Sequence, residues 1–550
     1  MVGKPVRKSR ASTAVSLYSI EYIALTKARK SRFGRQAASS PSQRLDRLLA
    51  PSGIGDYNPG RHEAFRCPRL MRPARIAIAL FAFATLRTCD ARAADLPSQP
   101  PTLPQLAPAT SSCFASVYDF LTSGPDDCPL SWRGVTLYGR LDYGVGYESH
   151  GAPFNGNYPN GLNTLIKKNG RQSLISIAPN GLGQSFIGLK GKEPIASGWS
   201  LVFNLQNGFD PYTLQRANGP KSLVENNTTP LDRQTANGDS SRAGQLFNTE
   251  AYAGLSHPAY GALTAGRQNS LILQGLGDYD AMNAAPAFSV IGVSSTVSGG
   301  GDTENARYNT SVKYDVTVGP LRFASLYQFG GFDQGNGSNG AVSAEVEGHF
   351  GPLTFDLVGQ KVKDAVSLSN FGQFPLPAGV PLNGLKATLS NKTSGMAAAR
   401  YAFDRATIYA GWEYILFANP SDAYPYGFTA IGNYPVPAGF VNATAYDNHK
   451  ILKILWTGVK YAVRDDLDIA AAYYHYDQND YSKGPCTDRG LSDSSCRGAL
   501  NGYSAMIAYR PTKRVTAYGG FLWSQVTGGL ASGYLNRVDF APTIGVRVNF

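Results

Sequence analysis

The chain ends with "TIGVRVNF" (Thr543–Phe550), in which apolar and polar residues alternate up to an aromatic final residue. A period of two is that of a β-strand with one apolar and one polar face. Chain ends are usually frayed and polar unless the fold holds them. The stretch therefore predicts a terminal strand that pairs within a sheet. Its apolar face is predicted to hold Val538, Phe540, Ile544, Val546, Val548 and Phe550, and its polar face Arg537, Asp539, Thr543, Arg547 and Asn549.

The same alternation begins in "RGVTLYGRLDYGVGYE" (133–148) and recurs in "WSLVFNLQNGF" (199–209) and "RYNTSVKYDV" (307–316). In the last of these, Tyr308 is predicted on the apolar face with Val312 and Tyr314. Alternating segments of about ten residues are typical of outer-membrane β-barrels. We predict an all-β transmembrane antiparallel β-barrel of about sixteen strands, closed by pairing of the terminal strand with 133–148. The predicted strands start near residues 133, 182, 197, 248, 260, 304, 320, 339, 352, 391, 405, 449, 466, 500, 513 and 535.

The connections alternate in length, which also favours a membrane barrel. Tight turns such as "VGPLR" and "RPTKR" alternate with long loops rich in Gly, Asn, Ser and Asp, such as 211–247 and 269–303. Soluble sandwiches and propellers also contain many short strands. Here, however, ionisable residues recur on the polar face, and a barrel with an apolar exterior and a wet interior accommodates both faces. Closure also pairs every backbone group that lipid cannot satisfy.

The basic charge of the chain belongs to its N-terminal region. Residues 1–93 hold 18 Lys/Arg and 5 Asp/Glu, a net charge of +13, whereas the whole chain has +12 and residues 94–550 therefore −1. This removes the support for nucleic-acid binding. "MRPAR" (71–75), the apolar run 76–86 and "ARA" (91–93) form the pattern of a signal peptide. We predict an upstream extension (1–70), a signal peptide (71–93), a Pro-rich periplasmic segment (94–132) and the barrel (133–550); a single long targeting peptide is the alternative for 1–93.

Four cysteines follow the predicted cleavage site. Because an exported chain meets an oxidising compartment, Cys113 with Cys128 and Cys486 with Cys496 are predicted disulfides. No Cys-x-x-Cys spacing is present, and we predict neither a metal site nor a cofactor.

Several ordered motifs resemble those of the Gram-negative general diffusion porins, in particular those of rhizobial relatives and other proteobacteria. They are "VTLYGRLDYGVGYE", "SFIGLKGKE", "EAYAGLSHPAYGALTAGRQ" and "ARYNTSVKY", followed by the final Phe550. The resemblance covers roughly 133–550. It implies a homotrimer of sixteen-stranded barrels in the outer membrane, each with a third long loop that narrows the lumen. It also implies that barrel-assembly machinery recognises the terminal strand.

The resemblance also implies which residues form the constriction. The loop is 269–303; Arg267 and Arg307 correspond to wall arginines, and Lys190 and Arg140 add cations on the lumen face. A third wall arginine of the family is replaced by Phe186. On the loop, Asp278 and Asp280 resemble the acidic side. Asp302 and Glu304 either compensate for the acid that Ala287 replaces or lie at the exit of the loop. Strict alternation from Leu263 points Arg267 outward, so it reaches the lumen only where the strand ends or bulges.

These features predict a porin that lets small hydrophilic solutes and ions diffuse passively across the outer membrane, in contact with its lipid. We expect no strong ion preference and place most of the Tyr and Phe residues on the lipid-facing and girdle surfaces. A substrate-specific channel is the first alternative. An outer-membrane hydrolase is the second, although none of the five histidines after residue 93 lies in a Gly-x-Ser-x-Gly or His-Glu-x-x-His motif. The prediction is therefore a channel without enzymatic activity.

Overall fold

The computed structural model describes residues 113–158, 172–236, 241–291, 303–331, 337–371, 375–421, 428–431, 434–442, 448–486, 494–532 and 534–550. The predicted segments 1–70 and 71–93, residues 94–112 of the Pro-rich segment, and Asp302 lie outside this description. Within the described residues, none of the helices has the length and apolar character needed to cross a membrane.

Sixteen antiparallel strands form a closed barrel, as the sequence predicts. Each strand pairs with its sequence neighbours, so the sheet is a simple up-and-down meander. The predicted strand starts near 182 and 391 differ most from the structure, which begins those strands at Phe186 and Lys386. The strands are β1 Val135–Glu148, β2 Phe186–Ala196, β3 Trp199–Gly208, β4 Glu250–His257, β5 Gly261–Asn269, β6 Arg307–Val318, β7 Leu321–Gln328, β8 Ala341–Phe350, β9 Leu353–Ser369, β10 Lys386–Phe403, β11 Ala406–Ala418, β12 Lys450–Arg464, β13 Leu467–Gln478, β14 Gly498–Tyr509, β15 Val515–Gly528 and β16 Val538–Asn549.

The predicted terminal strand closes the barrel. β16 pairs with β1 from Arg140 opposite Asn549 to Gly146 opposite Thr543, and with β15 on its other side. The final residue takes part, because Phe550 and Gly139 exchange both backbone hydrogen bonds, at 2.9 and 3.0 Å. Closure leaves β1 and β16 without a free edge, which is what a strand in lipid requires.

Burial alternates along the strands with the predicted period. In β16, Thr543 is 1% exposed whereas Ile544 is 65% exposed, and Val546 is 43% exposed. In β3, Ser200 is 7% exposed whereas its neighbour Leu201 is 44% exposed. The apolar residues therefore face outward, where lipid surrounds a membrane barrel, and their polar neighbours face the interior.

The prediction that Tyr308 lies on the outer face is wrong. Thr310 has a positive φ of 46°, and the pairing of β5 with β6 is irregular between Gly266 and Gln268. This irregularity reverses the alternation at the start of β6. Tyr308 is fully buried, and its hydroxyl donates to Gln360 Oε1 at 3.1 Å.

The two rims of the barrel differ as predicted. Turns of a few residues connect β2 to β3, β4 to β5, and each following pair up to β14 and β15, whereas long loops connect the strands at the other rim. One helix, α2 (Gly219–Glu225), belongs to the loop between β3 and β4. Its Leu223 packs with Leu385 and Val436 above β9 and β10. Short turns mark the periplasmic rim of bacterial barrels.

Residues 113–132 fold against the short-turn rim. The segment contains helix α1 (Val117–Thr122) and a short strand, Leu130–Trp132, that pairs with the start of β1. The structure has a disulfide between Cys113 and Cys128, and a second between Cys486 and Cys496 in the loop from β13 to β14.

Candidate functional site

The loop after β5 folds into the barrel. Its helix α3 (Leu271–Asp278) begins at Ser270, whose hydroxyl accepts a hydrogen bond from the backbone of Leu273 at 3.2 Å. Leu271, Ile272 and Leu276 are fully buried, and this spacing gives the helix one continuous apolar side. That side and the following loop residues up to Ile291 form one apolar cluster with inward-facing residues of the wall. These wall residues include Leu326, Val358, Met396, Tyr409, Ile415, Phe417, Leu452, Ile454, Trp456, Tyr474, Leu500, Met506, Tyr518 and Leu522.

Part of the inner wall is therefore apolar, which the sequence analysis did not predict. Most aromatic residues were expected on outer surfaces, but a group of them lies inside, between the loop and the wall. Two wall glycines allow the loop to approach closely. A Cβ added to Gly502 would collide with Val290, and one added to Gly458 would collide with Ala281. The buried aromatic residues are Tyr279, Phe288, Tyr308, Tyr409, Phe417, Trp456, Tyr474, Tyr476 and Tyr518.

Polar contacts fix the loop at several points. The indole nitrogen of Trp456 donates to Tyr279 O at 3.0 Å, and the hydroxyl of Tyr279 donates to Glu347 Oε1 at 3.0 Å. Farther along, the backbone nitrogen of Ala287 donates to the carbonyl of Gly181 at 3.0 Å, between β1 and β2. The described part of the loop thus extends from β5 along the inner wall to β15, whereas residues of β1–β6 line a cavity in the lumen.

The predicted loop acids lie in three different environments. Asp278 is exposed at the end of α3, whereas Asp280 and Glu304 are at most 1% exposed. The hydroxyl of Tyr474 donates to Asp280 Oδ1 at 2.8 Å, and the backbone nitrogen of Ala284 donates to its Oδ2 at 2.9 Å. Asp280 therefore holds the loop against the wall and does not face the lumen.

Both aspartates belong to the loop, outside the membrane-crossing strands. Although Asp278 reaches solvent, the neighbouring wall partly desolvates its carboxyl group and raises its pKa, and the negative charge of Glu347 raises it further. Burial also raises the pKa of Asp280, although hydrogen bonds from Ser289 and Tyr474 act in the opposite direction. Glu304 lies at the other end of the loop among buried charges: Lys392 Nζ donates to Thr303 O at 2.6 Å, and Glu413 is fully buried next to Glu304.

The predicted wall cations form two groups. Arg267 bonds to the loop from β3 to β4, where its guanidinium donates to Asn248 O at 2.7 Å and to Ser241 O at 2.7 Å. It also donates to Asn309 Oδ1 on β6 at 2.6 Å. The irregular pairing after Gly266, with its φ of 136°, gives Arg267 this direction. Arg307 is 9% exposed and lies beside Ser241 and Asn309. The structure thus brings these two arginines together near the loop from β3 to β4.

Arg140 and Lys190 face the lumen, where further cations that the sequence analysis did not select accompany them. One cavity, of about 590 Å³, is lined by Lys190, Lys192 and Lys313 together with residues such as Asn204 and Tyr252. A neighbouring cavity, of about 500 Å³, is lined by Arg140, Lys190 and Arg547. Alternation in β2 and β16 places Lys192 and Arg547 on the lumen face and was the signal that could have identified them.

An acidic group on the wall was also missed. Arg322 on β7 forms ion pairs with Asp315, with Glu345 at 3.1 Å and with Glu347 at 3.2 Å. Asp356 on β9 lies directly opposite Glu347 across the sheet and is 1% exposed. In a barrel of sixteen strands, β8 is diametrically opposite β16. The acids around Glu345 therefore lie on the side of the barrel opposite β16, but Glu345 and Asp356 are buried beneath α3, whereas Glu347 is partly exposed.

Asp280→Ala is expected to loosen the loop. The substitution removes the acceptor for Tyr474 and Ala284, and hydrogen bonds to a charged group contribute roughly 1.5–3 kcal/mol each. We expect a noisier and larger single-channel current in planar bilayers and a lower free energy of unfolding. Asp280→Asn keeps the size of the side chain and one acceptor oxygen and should change both quantities less. Equal currents for Asp280→Ala and the wild type would contradict this role.

Comparison with known proteins gives one family and several similar structures. A family model described as Gram-negative porin matches residues 105–528. An outer membrane porin protein of Bordetella pertussis is 28% identical over 202 residues, which cover 36% of this chain and 44% of that relative, so the match spans less than half of its length. The chain is also similar to the anion-selective porin from Comamonas acidovorans (16% identity, 76% of this chain and 99% of that one, TM-score 0.49) and to OmpT of Vibrio cholerae (11% identity, 77% and 99%, TM-score 0.46).

Proposed function

The chain belongs to the Gram-negative porin family, and from this premise we propose that it forms a water-filled channel for passive diffusion of small hydrophilic solutes across the outer membrane. The observation that carries the proposal is the closed barrel with an apolar exterior and a charged, open lumen along β1–β6. Barrels of this size enclose an aqueous passage. Solutes move down their concentration gradient, without a covalent step.

The loop that contains α3 sets the size limit of the passage, because it fills the other side of the lumen. Arg140, Lys190 and Arg547 line one wall, and on the opposite side Asp278 and the partly exposed Glu347 carry negative charge. Opposite charges on facing walls produce a transverse field, which orients dipolar solutes and penalises apolar ones. Arg267 and Arg307 support the passage indirectly, by holding the loop from β3 to β4.

The remaining parts of the proposal concern export and assembly. The pattern in 71–93 supports cleavage of a signal peptide and delivery of residues 94–550 to the outer membrane, with 94–132 on the periplasmic side. The terminal strand supports recognition by barrel-assembly machinery. Homotrimeric assembly is proposed from the family resemblance.

Planar bilayers containing the protein isolated from outer membranes test this function. We expect stepwise currents that increase linearly with voltage and with KCl concentration, and a reversal potential near zero in a salt gradient because the mature chain has a net charge of −1. Saturable flux of one solute would indicate a substrate-specific channel instead. Absence of ion current together with hydrolysis of lipid would indicate an outer-membrane hydrolase.

Lys190→Glu is expected to shift the reversal potential towards cation selectivity. The substitution replaces a lumen cation by an anion and changes the local charge by two units, at a position shared by both lumen cavities. Lys386→Glu makes the same change at an exposed position on the long-loop rim and is the matched control. If both variants give the same reversal potential, Lys190 does not lie beside the ion path.

A further inference from the structure

The segment 113–132, which we call the stapled segment, is fastened to the periplasmic rim by one arginine. Arg514 lies in the turn between β14 and β15 and is fully buried. Its guanidinium donates to Phe120 O at 2.8 Å, Gly124 O at 3.2 Å and Cys128 O at 2.7 Å, and lies 4.0 Å from the centre of the Phe120 ring. Three hydrogen bonds from one planar guanidinium group to backbone carbonyl oxygens fix the orientation of the whole segment.

Further contacts hold the ends of the stapled segment. Lys513 forms an ion pair with Asp127 at 2.7 Å, which lowers the pKa of that carboxyl group. At the other end, Leu130 pairs opposite Leu137 of β1, and the hydroxyls of Ser131 and Thr136 lie 2.7 Å apart. These contacts place residues 125–131 at the mouth of the barrel, beside the periplasmic ends of the strands that form the lumen wall.

These residues form one side of the cavity of about 500 Å³. Pro125, Asp126 and Pro129 line it from the stapled segment, and Arg140, Lys190, Arg547, Asn549 and Phe550 line it from the barrel. A volume of this size is within the range of small-molecule sites. Because Lys190 and Thr136 also line the larger lumen cavity, the two spaces adjoin.

Positive charge dominates this cavity. Arg140 and Arg547 lie close enough for their charges to repel each other. Arg547 also has a buried Nε atom without a hydrogen-bond partner. Arg140 lies 4.8 Å from the centre of the Phe186 ring, and Lys190 lies 4.9 Å from that of Tyr138. The three cations therefore keep donor capacity for an additional acceptor.

The carboxylates near these cations leave that capacity largely unused. Asp142 is opposite Arg547 in the sheet but fully buried, and it accepts hydrogen bonds from the hydroxyl of Tyr518 and from the backbone of Leu182 and Gly183. Asp126 is the acid that the stapled segment contributes to the cavity lining. Against the three cations stand these two side-chain carboxylates, one of them saturated, and the terminal carboxylate of Phe550, one oxygen of which already accepts from Gly139. The guanidinium donors of Arg140 and Arg547 therefore remain for a further anion.

We propose that this chamber between the stapled segment and the wall of β16, β1 and β2 is a binding site for small carboxylates at the periplasmic mouth of the channel. The inference rests on the proposed channel function. Planar guanidinium groups bind carboxylates through paired, charge-assisted hydrogen bonds. A dicarboxylate of four carbons is small enough for the chamber and presents one carboxylate to the arginines while the other faces Lys190.

The test uses single-channel recordings in symmetric KCl, with succinate added on the side of the short turns. We expect a saturable, concentration-dependent block of the wild-type current. In Arg140→Gln and Arg547→Gln the half-blocking concentration is expected to rise about tenfold or more, since a charge-assisted bond contributes roughly 1.5–3 kcal/mol. Arg464→Gln removes a cation at the short-turn end of β12, outside the chamber, and should leave the block unchanged.

A second variant tests the stapled segment without touching the cations. Cys113→Ser combined with Cys128→Ser is expected to raise the half-blocking concentration, because the side of the chamber opposite the arginines loosens. If succinate blocks Arg140→Gln and Arg547→Gln as it blocks the wild type, or if it does not block the wild type, the carboxylate site is wrong. The KCl current recorded in the same membranes reports on the channel itself, so failure of the site and failure of the proposed function are separable.

Discussion

Deleting Thr543–Phe550 is expected to abolish formation of the membrane-inserted barrel. These residues pair with β1 from Arg140 to Gly146 and with β15 on the other side, and Phe550 adds two bonds to Gly139. Their loss leaves two open edges inside the hydrocarbon, where each unsatisfied backbone group costs several kcal/mol. The measurement is refolding into lipid vesicles without assembly machinery, followed by gel mobility with and without heating and by channel activity.

The matched control is Phe550→Leu, which keeps an apolar terminal side chain and every backbone bond of β16. This variant should refold into vesicles like the wild type. Because no assembly machinery is present, the comparison isolates closure of the sheet from recognition of the terminal residue. A truncated chain that migrates as a compact species and conducts ions would show that closure by β16 is dispensable.

Trp456→Ala is expected to have the second largest effect. The side chain is 1% exposed, packs against Gly411 and donates its indole hydrogen bond to Tyr279 of the loop. Replacing a buried Trp or Phe by Ala costs about 3–5 kcal/mol. We expect a decrease of that size in the free energy of unfolding, measured by denaturant titration in vesicles, together with a larger and noisier current because the loop loses an anchor.

Trp412→Ala is the control with the same chemical change. Trp412 lies on the adjacent strand, one residue from the partner of Trp456, but on the outer face and 45% exposed. Its replacement should lower stability less and leave the current unchanged. Equal effects of the two substitutions would contradict the view that the inner wall and the loop form a packed core.

The fold was predictable from the sequence because alternation acts over every strand and requires no knowledge of distant contacts. Sixteen strands, the closing role of β16 and the two kinds of connection follow from period and turn composition. The error at Tyr308 arose because the prediction of its face used alternation alone, and the alternation reverses at that point of β6. The backbone irregularities at Gly266 and Thr310 depend on pairing between strands and have no clear signature in either strand alone.

The candidate site was less predictable, because side chains there act through the loop that enters the lumen. Asp280 and Asp278 are two residues apart and chemically identical, yet one anchors the loop and the other is exposed, depending on which side of the chain meets Tyr474. Arg267 carries the motif that suggested a pore arginine, but it bonds to the loop from β3 to β4. Lys192 and Arg547 also line the lumen cavities. Alternation places both on the inward face, and Arg547 was predicted on the polar face of the terminal strand, but neither was selected as a pore cation.

The apolar packing between α3 and the wall has a thermodynamic consequence. Outward-facing apolar residues remain in contact with hydrocarbon when the chain assembles in lipid, so they contribute little to the change in heat capacity. The enclosed cluster around Leu276, Phe288 and Trp456 is withdrawn from water, as in the interior of a soluble protein, and such withdrawal carries a large heat-capacity change. Attachment of the loop should therefore weaken on cooling, giving this membrane channel a temperature response that originates in its bore.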